Sequence, residues 1–353
     1  MTSFRKMRIM FRKITVKRLF YITLILFLTS YMLSSFFSVF INSMDFMFSF
    51  YQYLPDDVSC YFDKNVNDDY NGPYLNNSFP DDVFLHYTSC HLNLKPAYLC
   101  AIEAASVAYP TKKVNVLFNK PLSFCSCQQT IISQIIHHGN VEFVKIQIEK
   151  HLNATPFKDV IGPFENSVLN RGMRRYKKVE NMLKLATLFN YGGRIIDMDV
   201  IVTDRIHDGN KWLVMEHHDL VSSAVMAFSQ NKDEIIKRSI ESLPILQDLK
   251  DDDLNISEAI THALRKLCYN TSNTVRNVLT IQKCKELRLL NLKIHTVKYS
   301  DPAESPPQAY AYRVVDEPNL YHIPNNSLLA EIAKKYCPIV YNFTLYSHSK
   351  SWI

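Results

Sequence analysis

Glycine is scarce in this chain, with seven among 353 residues. There is no Gly-x-Ser-x-Gly elbow, no P-loop and no Gly-x-Gly-x-x-Gly fingerprint. The serine hydrolase, P-loop and dinucleotide-binding readings therefore lack their required backbone. Zinc-site spacing is also missing: Cys125-x-Cys127 has no second Cys/His pair to complete it. Asp63-Lys-Asn65-Val-Asn67 begins like a calcium loop. Asp68 then stands where the sharp turn needs glycine, and Tyr74 where a bidentate Glu is needed, which excludes an EF-hand. His137-His138 and His217-His218 are adjacent pairs, and neighbours on a helix do not face one site. No internal repeat is visible.

The body of the chain also lacks excess charge. Of 40 Lys and Arg, seven (Arg5, Lys6, Arg8, Arg12, Lys13, Lys17, Arg18) lie in the first eighteen residues; the remaining 33 face 34 Asp and Glu. A body so near neutral gives no electrostatic footprint for nucleic acid. Residues 19–41 then read LFYITLILFLTSYMLSSFFSVFI, with no charge. At about 1.5 Å per helical residue this run can cross a hydrocarbon core of roughly 30 Å. It is longer than a signal-peptide core and ends in Phe, Val, Phe and Ile, so it predicts an uncleaved anchor. The basic flank predicts residues 1–18 in the cytosol and everything after about Asn42 in the lumen.

All eight cysteines (Cys60, Cys90, Cys100, Cys125, Cys127, Cys268, Cys284, Cys337) follow that span. An even number in an oxidising compartment suits disulfides, with the pairing open. Asn-x-Ser/Thr sequons at Asn76, Asn153, Asn255, Asn270, Asn325 and Asn342 agree with a lumenal body. Residues 42–82, rich in Asp, Asn, Tyr and Pro, read as a stem, leaving 83–353 as one domain.

From Val83 onward the pattern alternates. Strands are predicted at Val83–His86, Val114–Phe118, Val141–Ile148, Ile195–Ile196, Val200–Val202, Ala224–Phe228 and Leu292–Val297. Helices are predicted at Lys95–Ala108, Phe124–His137, Lys177–Asn190, Asp233–Ser242 and Ser257–Cys268. Such alternation predicts an α/β domain around a mostly parallel sheet.

One segment carries chemistry. The helix with its stripe of Val179, Met182, Leu183, Ala186 and Phe189 ends at Tyr191. Gly192-Gly193 breaks it, and a short strand delivers Asp197 and Asp199. On an extended backbone, residues two apart face the same way, so the two carboxylates are expected to converge. Hard oxygen ligands suit Mn²⁺ or Mg²⁺. A divalent ion there would offset charge building on a departing nucleoside diphosphate. Between two apolar runs, unpaired carboxylates would be costly without a ligand.

Tyr191-Gly-Gly followed by Asp197-Met-Asp199-Val-Ile-Val resembles the alpha-1,4-glycosyltransferase family. That family includes lactosylceramide 4-alpha-galactosyltransferase and alpha-1,4-N-acetylglucosaminyltransferase. Phe84–Cys90, Ala97–Ala105, Ile260–Leu264 and Leu320–Ile323 resemble its other blocks, so the likeness spans roughly 83–345. The resemblance implies a type II Golgi membrane enzyme with a GT-A fold. It implies a UDP-sugar donor, Mn²⁺ and retention, with transfer of a hexose or N-acetylhexosamine in alpha-1,4 linkage to a lactosylceramide-like glycolipid or a glycoprotein. It assigns Asp197 and Asp199 to the metal and to catalysis, and Asn181, Lys184, Tyr191, Gly192 and Gly193 to the donor. Several positions depart from the family. Its Ser-Asp-x-x-Arg before the glycines is here Glu180, Asn181 and Lys184. Arg194 replaces an apolar residue, Asn255-Ile256-Ser257 stands for Asn-Gly-Pro, and Ile339–Asn342 lacks a His that His348 alone offers to replace. These departures support a second expectation, a catalytically impaired relative that binds glycans or stabilises a partner.

Overall fold

The computed structural model describes residues 29, 32, 75, 81–88, 94–118, 126–161, 175–217, 219–247, 255–268, 284, 286–315 and 323–347. The chain divides into two units, Met1–Pro55 and Asp56–Ile353. In the first, only Thr29 and Met32 are described, both helical. Among the described residues no helix is long and apolar enough to cross a membrane. The expected span at 19–41 otherwise lies outside them, as do the basic tail, nearly all of the stem, Asn76, Asn270 and His348.

The second unit is a mixed α/β domain. In chain order it runs β1 (Val83–Tyr87), α1 (Pro96–Ala108), β2 (Val114–Phe118), α2 (Ser126–Ile136), β3 (Val141–Lys145), α3 (Ile148–Asn153), α4 (Phe157–Ile161), α5 (Arg175–Tyr191), β4 (Gly193–Ile196) and β5 (Val200–Val202). There follow β6 (Lys211–His217), β7 (Leu220–Phe228), α6 (Glu234–Gln247), α7 (Ile256–Cys268), β8 (Arg288–Leu290), β9 (Ile294–Lys298), β10 (Ala311–Val315), α8 (Leu328–Tyr336) and α9 (Pro338–Ser347). The central sheet has the order β3-β2-β1-β4-β7-β6-β8. Strands β3, β2, β1 and β4 are mutually parallel, while β7 is antiparallel to β4 and β6. A second sheet has the order β5-β10-β9.

Alternation along β1 explains the layering. Val83, Leu85 and Tyr87 join a core shared with α1, α2, α8 and the second sheet. Phe84 joins the opposite core with α5, α6 and α7. Successive strand residues point to opposite faces, so a strand covered on both sides reads as one apolar run. That is why Val83–His86 and Val114–Phe118 were legible as strands.

Of the two described disulfides, Cys100–Cys337 ties α1 to the α8–α9 junction and Cys268–Cys284 closes a short loop after α7. Beside the first, the buried Glu103 carboxylate accepts the amides of Ile339 and Val340, each at 2.9 Å, at the start of α9. Burial raises the Glu103 pKa, and those two amides oppose the rise. Cys60, Cys90 and Cys125 lie outside the described residues. The sequon residues Asn153, Asn255, Asn325 and Asn342 are exposed.

Candidate active site

Strand order places a crevice. From β1 the chain reaches β2 and β3 on one side and β4 on the other. The α1 and α2 crossovers cover one face, and α5 covers the other. Ligands in open α/β sheets bind outside the carboxyl ends of the strands at such a switch point. Asp197 follows the last residue of β4, and His86 is the penultimate residue of β1.

Element lengths then bring α5 to the same place. Gly192, with φ +74°, reverses the chain between α5 and β4. Seven helical residues back from Tyr191 is roughly 10 Å. Four strand residues forward from Gly193 is roughly 13 Å. Lys184 therefore lies abreast of Asp197, with its ammonium 2.5 Å from Asp197 Oδ1 and 3.0 Å from Glu180 Oε1. Both Lys184 and Asp197 are buried. Burial pushes the Asp197 carboxyl upward, and Lys184 opposes that. Burial would lower Lys184, but the Asp197 and Glu180 carboxylates override it and hold its proton.

The acidic pair is a turn, not the extended strand the sequence suggested. The amide of Val200 donates to the Asp197 carbonyl at 3.0 Å, closing a four-residue turn with Met198 buried beneath it. The carboxylates converge through a third residue. Arg313 on β10 donates from Nε to Asp199 Oδ2 at 3.1 Å, and its Nη2 lies 3.9 Å from Asp197 Oδ2. The amide of Val314 donates to the Asp199 carbonyl at 2.8 Å, fixing β10 beside the turn.

A metal fits this pair in part. Asp199 Oδ1 is buried without a hydrogen-bond partner, and Asp197 Oδ1 has the ammonium in ion-pair range but no directed hydrogen bond. Asp197 Oδ1 thus already has a cation, and Asp199 Oδ1 is the buried acceptor that calls for a cation or a donor. Among the described residues no group of three or more His, Cys, Asp or Glu is placed to hold a metal. The described residues therefore offer two carboxylates, and further ligands would come from a bound diphosphate and water.

The expected donor residues divide. Lys184 and Asn181 stand at the acidic pair, with Lys184 Nζ 3.5 Å from Asn181 Oδ1. Tyr191, Gly192 and Gly193 are not brought there; they occupy the other end of β4. Tyr191 stacks on His151 and donates to the Leu75 carbonyl at 3.3 Å. A Cβ on Gly192 would meet the Phe228 carbonyl oxygen at 2.7 Å, and one on Gly193 the Asp82 carbonyl oxygen at 2.7 Å. These glycines make the helix-to-strand joint, which explains their pattern without a ligand. Arg194 is likewise structural: buried, it donates to the Asp81 carbonyl at 2.7 Å and lies over the Tyr109 ring. Thr261, in one of the resembling blocks, accepts the amide of Val221 at 3.2 Å and so fastens α7 to β7.

Sequence reasoning missed Arg313 and a buried chain at the foot of the site. Arg313 is the one charge in the run Ala-Tyr-Arg-Val-Val, and a charge inside an apolar strand was the available signal. Thr187 Oγ1 lies 2.8 Å from His86 Nε2 and 2.9 Å from His151 Nε2. Its single proton can serve only one ring, so at least one of the two rings donates to it. Burial lowers both histidines, His151 to about 4, with Lys184 adding to the effect on His86.

No known protein family and no curated protein matches this sequence. The solved structures it resembles include glycosyltransferases. The glycosyltransferase PaToxG is 12% identical at TM-score 0.42, covering 54% of this chain and 69% of its own. The galactosyltransferase LgtC, in complex with donor and acceptor sugar analogues, is 13% identical at TM-score 0.38, covering 77% and 97%. Mouse xyloside xylosyltransferase 1 in its apo form is 10% identical at TM-score 0.35, covering 66% and 96%. Identities this low with TM-scores under 0.5 carry neither activity nor substrate over to this chain.

Proposed function

We propose that the chain is a retaining glycosyltransferase of GT-A type that transfers a hexose or N-acetylhexosamine from a UDP-sugar in alpha-1,4 linkage to a glycolipid or glycoprotein glycan. The observation that carries this reading is the meeting of Asp197 and Asp199 at the carboxyl end of β4, with Asp199 Oδ1 buried and unpartnered. Asp197 and Asp199 would hold Mn²⁺ or Mg²⁺, which would supply positive charge opposite the leaving diphosphate. Lys184 would keep Asp197 ionised and aimed. Asn181 would offer an amide to donor hydroxyls. The acceptor hydroxyl would attack the face from which UDP departs, which gives retention without a covalent intermediate.

An anchor at 19–41 would place the domain in the Golgi lumen. Two disulfides among the described residues and four exposed sequon asparagines support that placement. The test is UDP release from a panel of UDP-sugars by the full-length chain, with and without Mn²⁺. No metal-dependent release from any of them would sink the reading.

One observation favours a second reading. Lys184 already pairs with Asp197, and Arg313 with Asp199. A pair so countered suits a catalytically impaired relative that binds glycans or stabilises a partner. Calorimetry bears on the two: micromolar, Mn²⁺-dependent UDP binding counts against the impaired form.

A further inference from the structure

We propose that Arg313 is an exchangeable counter-ion. It holds Asp199 while no cation is bound and turns to the donor diphosphate when one is. This rests on the reading of the site as one for metal and nucleoside diphosphate.

The two cations at the acidic pair are held very differently. Lys184 and Asp197 are 4% and 6% exposed, and Lys184 has Glu180 as a second carboxylate. Releasing that ammonium would strand buried charge, so it stays. Arg313 and Asp199 are 39% and 28% exposed. An ion pair this open to water is worth only a few-fold in an equilibrium constant and breaks readily.

The backbone beneath Arg313 is held by its ladder partners, and its guanidinium by part-exposed ion pairs. Arg313 pairs with Val200 in the β5–β10 ladder, and the amide of Val314 is bonded to the Asp199 carbonyl. Any motion is therefore confined to the long side chain. Asp199 offers two oxygens: Oδ2 holds Arg313, and Oδ1 is buried without a partner. A divalent ion drawn to Oδ1 would repel the guanidinium and compete for the same carboxylate. The freed guanidinium would then stand beside the anion that accompanies the ion. Its planar fork matches phosphate oxygens as an ammonium does not.

The exchange makes opposite demands on the two ligands, and this distinguishes it from a structural role. Isothermal titration calorimetry of the full-length chain uses three titrants: Mn²⁺ alone, UDP alone, and UDP at saturating Mn²⁺. In Arg313→Gln, Mn²⁺ alone should bind ~5-fold tighter because its competitor is gone. UDP at saturating Mn²⁺ should bind ~10-fold weaker because one charge-assisted contact is lost. Arg313→Lys keeps the charge and should shift both affinities by less than half as much on a logarithmic scale. It also serves as the second variant should glutamine impair folding. If wild type binds UDP with Mn²⁺ and both variants shift the two affinities in the same direction, or shift neither, the exchange is wrong and the function stands. If wild type shows no Mn²⁺-dependent UDP binding, the proposed function falls and the exchange with it.

Discussion

The Lys184 ammonium lies 2.5 Å from the Asp197 carboxylate, one carried by α5 and the other by the turn after β4. Burial disfavours the charge on both, and each favours the ionised form of the other. Removing one partner leaves the second uncompensated, which typically costs about 3–5 kcal/mol, whereas replacing both by apolar groups is often neutral. Lys184→Met should therefore lower unfolding stability by about 3 kcal/mol in urea titration. Lys184→Met with Asp197→Leu should recover most of that loss. A double variant as unstable as the single one would show that the pair is not the source.

Asp199 makes a different prediction, because it and Arg313 are part-exposed. Asp199→Ala should change stability by less than about 1 kcal/mol, the scale of an exposed ion pair. It should lower metal-dependent UDP release by ~100-fold or more, as loss of a preorganised charge-stabilising group does. Unchanged release would remove Asp199 from the metal site.

The histidines beside Thr187 predict an acid limb in stability. In the fold His151 titrates at about 4, well below its ordinary value, because burial disfavours the imidazolium. Between that value and roughly 6.5 the unfolded chain binds more protons than the folded one, so stability falls as pH falls. The loss attributable to His151 alone is about 2 kcal/mol at pH 5 relative to pH 7.5. His86 is lowered in the same direction and adds to it. His151→Gln should flatten the slope of unfolding free energy between pH 7.5 and 5. An unaltered slope would place the acid sensitivity elsewhere.

Gly193 has φ +97°, and a Cβ added there would lie 2.7 Å from the Asp82 carbonyl oxygen. Gly193→Ala should cost at least about 2 kcal/mol by thermal or urea unfolding, from backbone strain plus a backbone clash that cannot relax. Loss of stability rather than of UDP affinity is expected, since the glycine sits a strand's length from Asp197.

Much of the scaffold could be read locally. Val83–His86, Val114–Phe118 and Ser257–Cys268 carry their own pattern, and the structure places elements there with shifts of a residue or so. β6, β8 and β10 escaped, as did α3, α4, α8 and α9. β10 shows why. It is five residues long, and its partners β5 and β9 come from more than a hundred residues away and from across the irregular segment 299–310. Nothing local to Ala311–Val315 fixes that pairing. The site divides in the same way. Asp197, Asp199 and Lys184 were legible because helix, joint and strand are contiguous. Arg313 lies 114 residues from Asp199 and arrives only through the second sheet. Tyr191 and the two glycines lie at the other end of β4, where the same pattern is what a tight helix-to-strand reversal requires.

The bond between Cys100 and Cys337, with Glu103 clasping α9 beside it, spans 237 residues. Topologically the domain is a closed ring with two tails. Closing a ring of this size removes about 5 kcal/mol of chain entropy from the unfolded state. It also shields the interior from force. A pull applied to the chain ends loads β1 and the first turn of α1, crosses the sulfur bridge and leaves through α9. Lys184, Asp197, Arg313 and six of the seven central strands lie inside the ring, while β1 lies on the loaded tail and is held between β2 and β4.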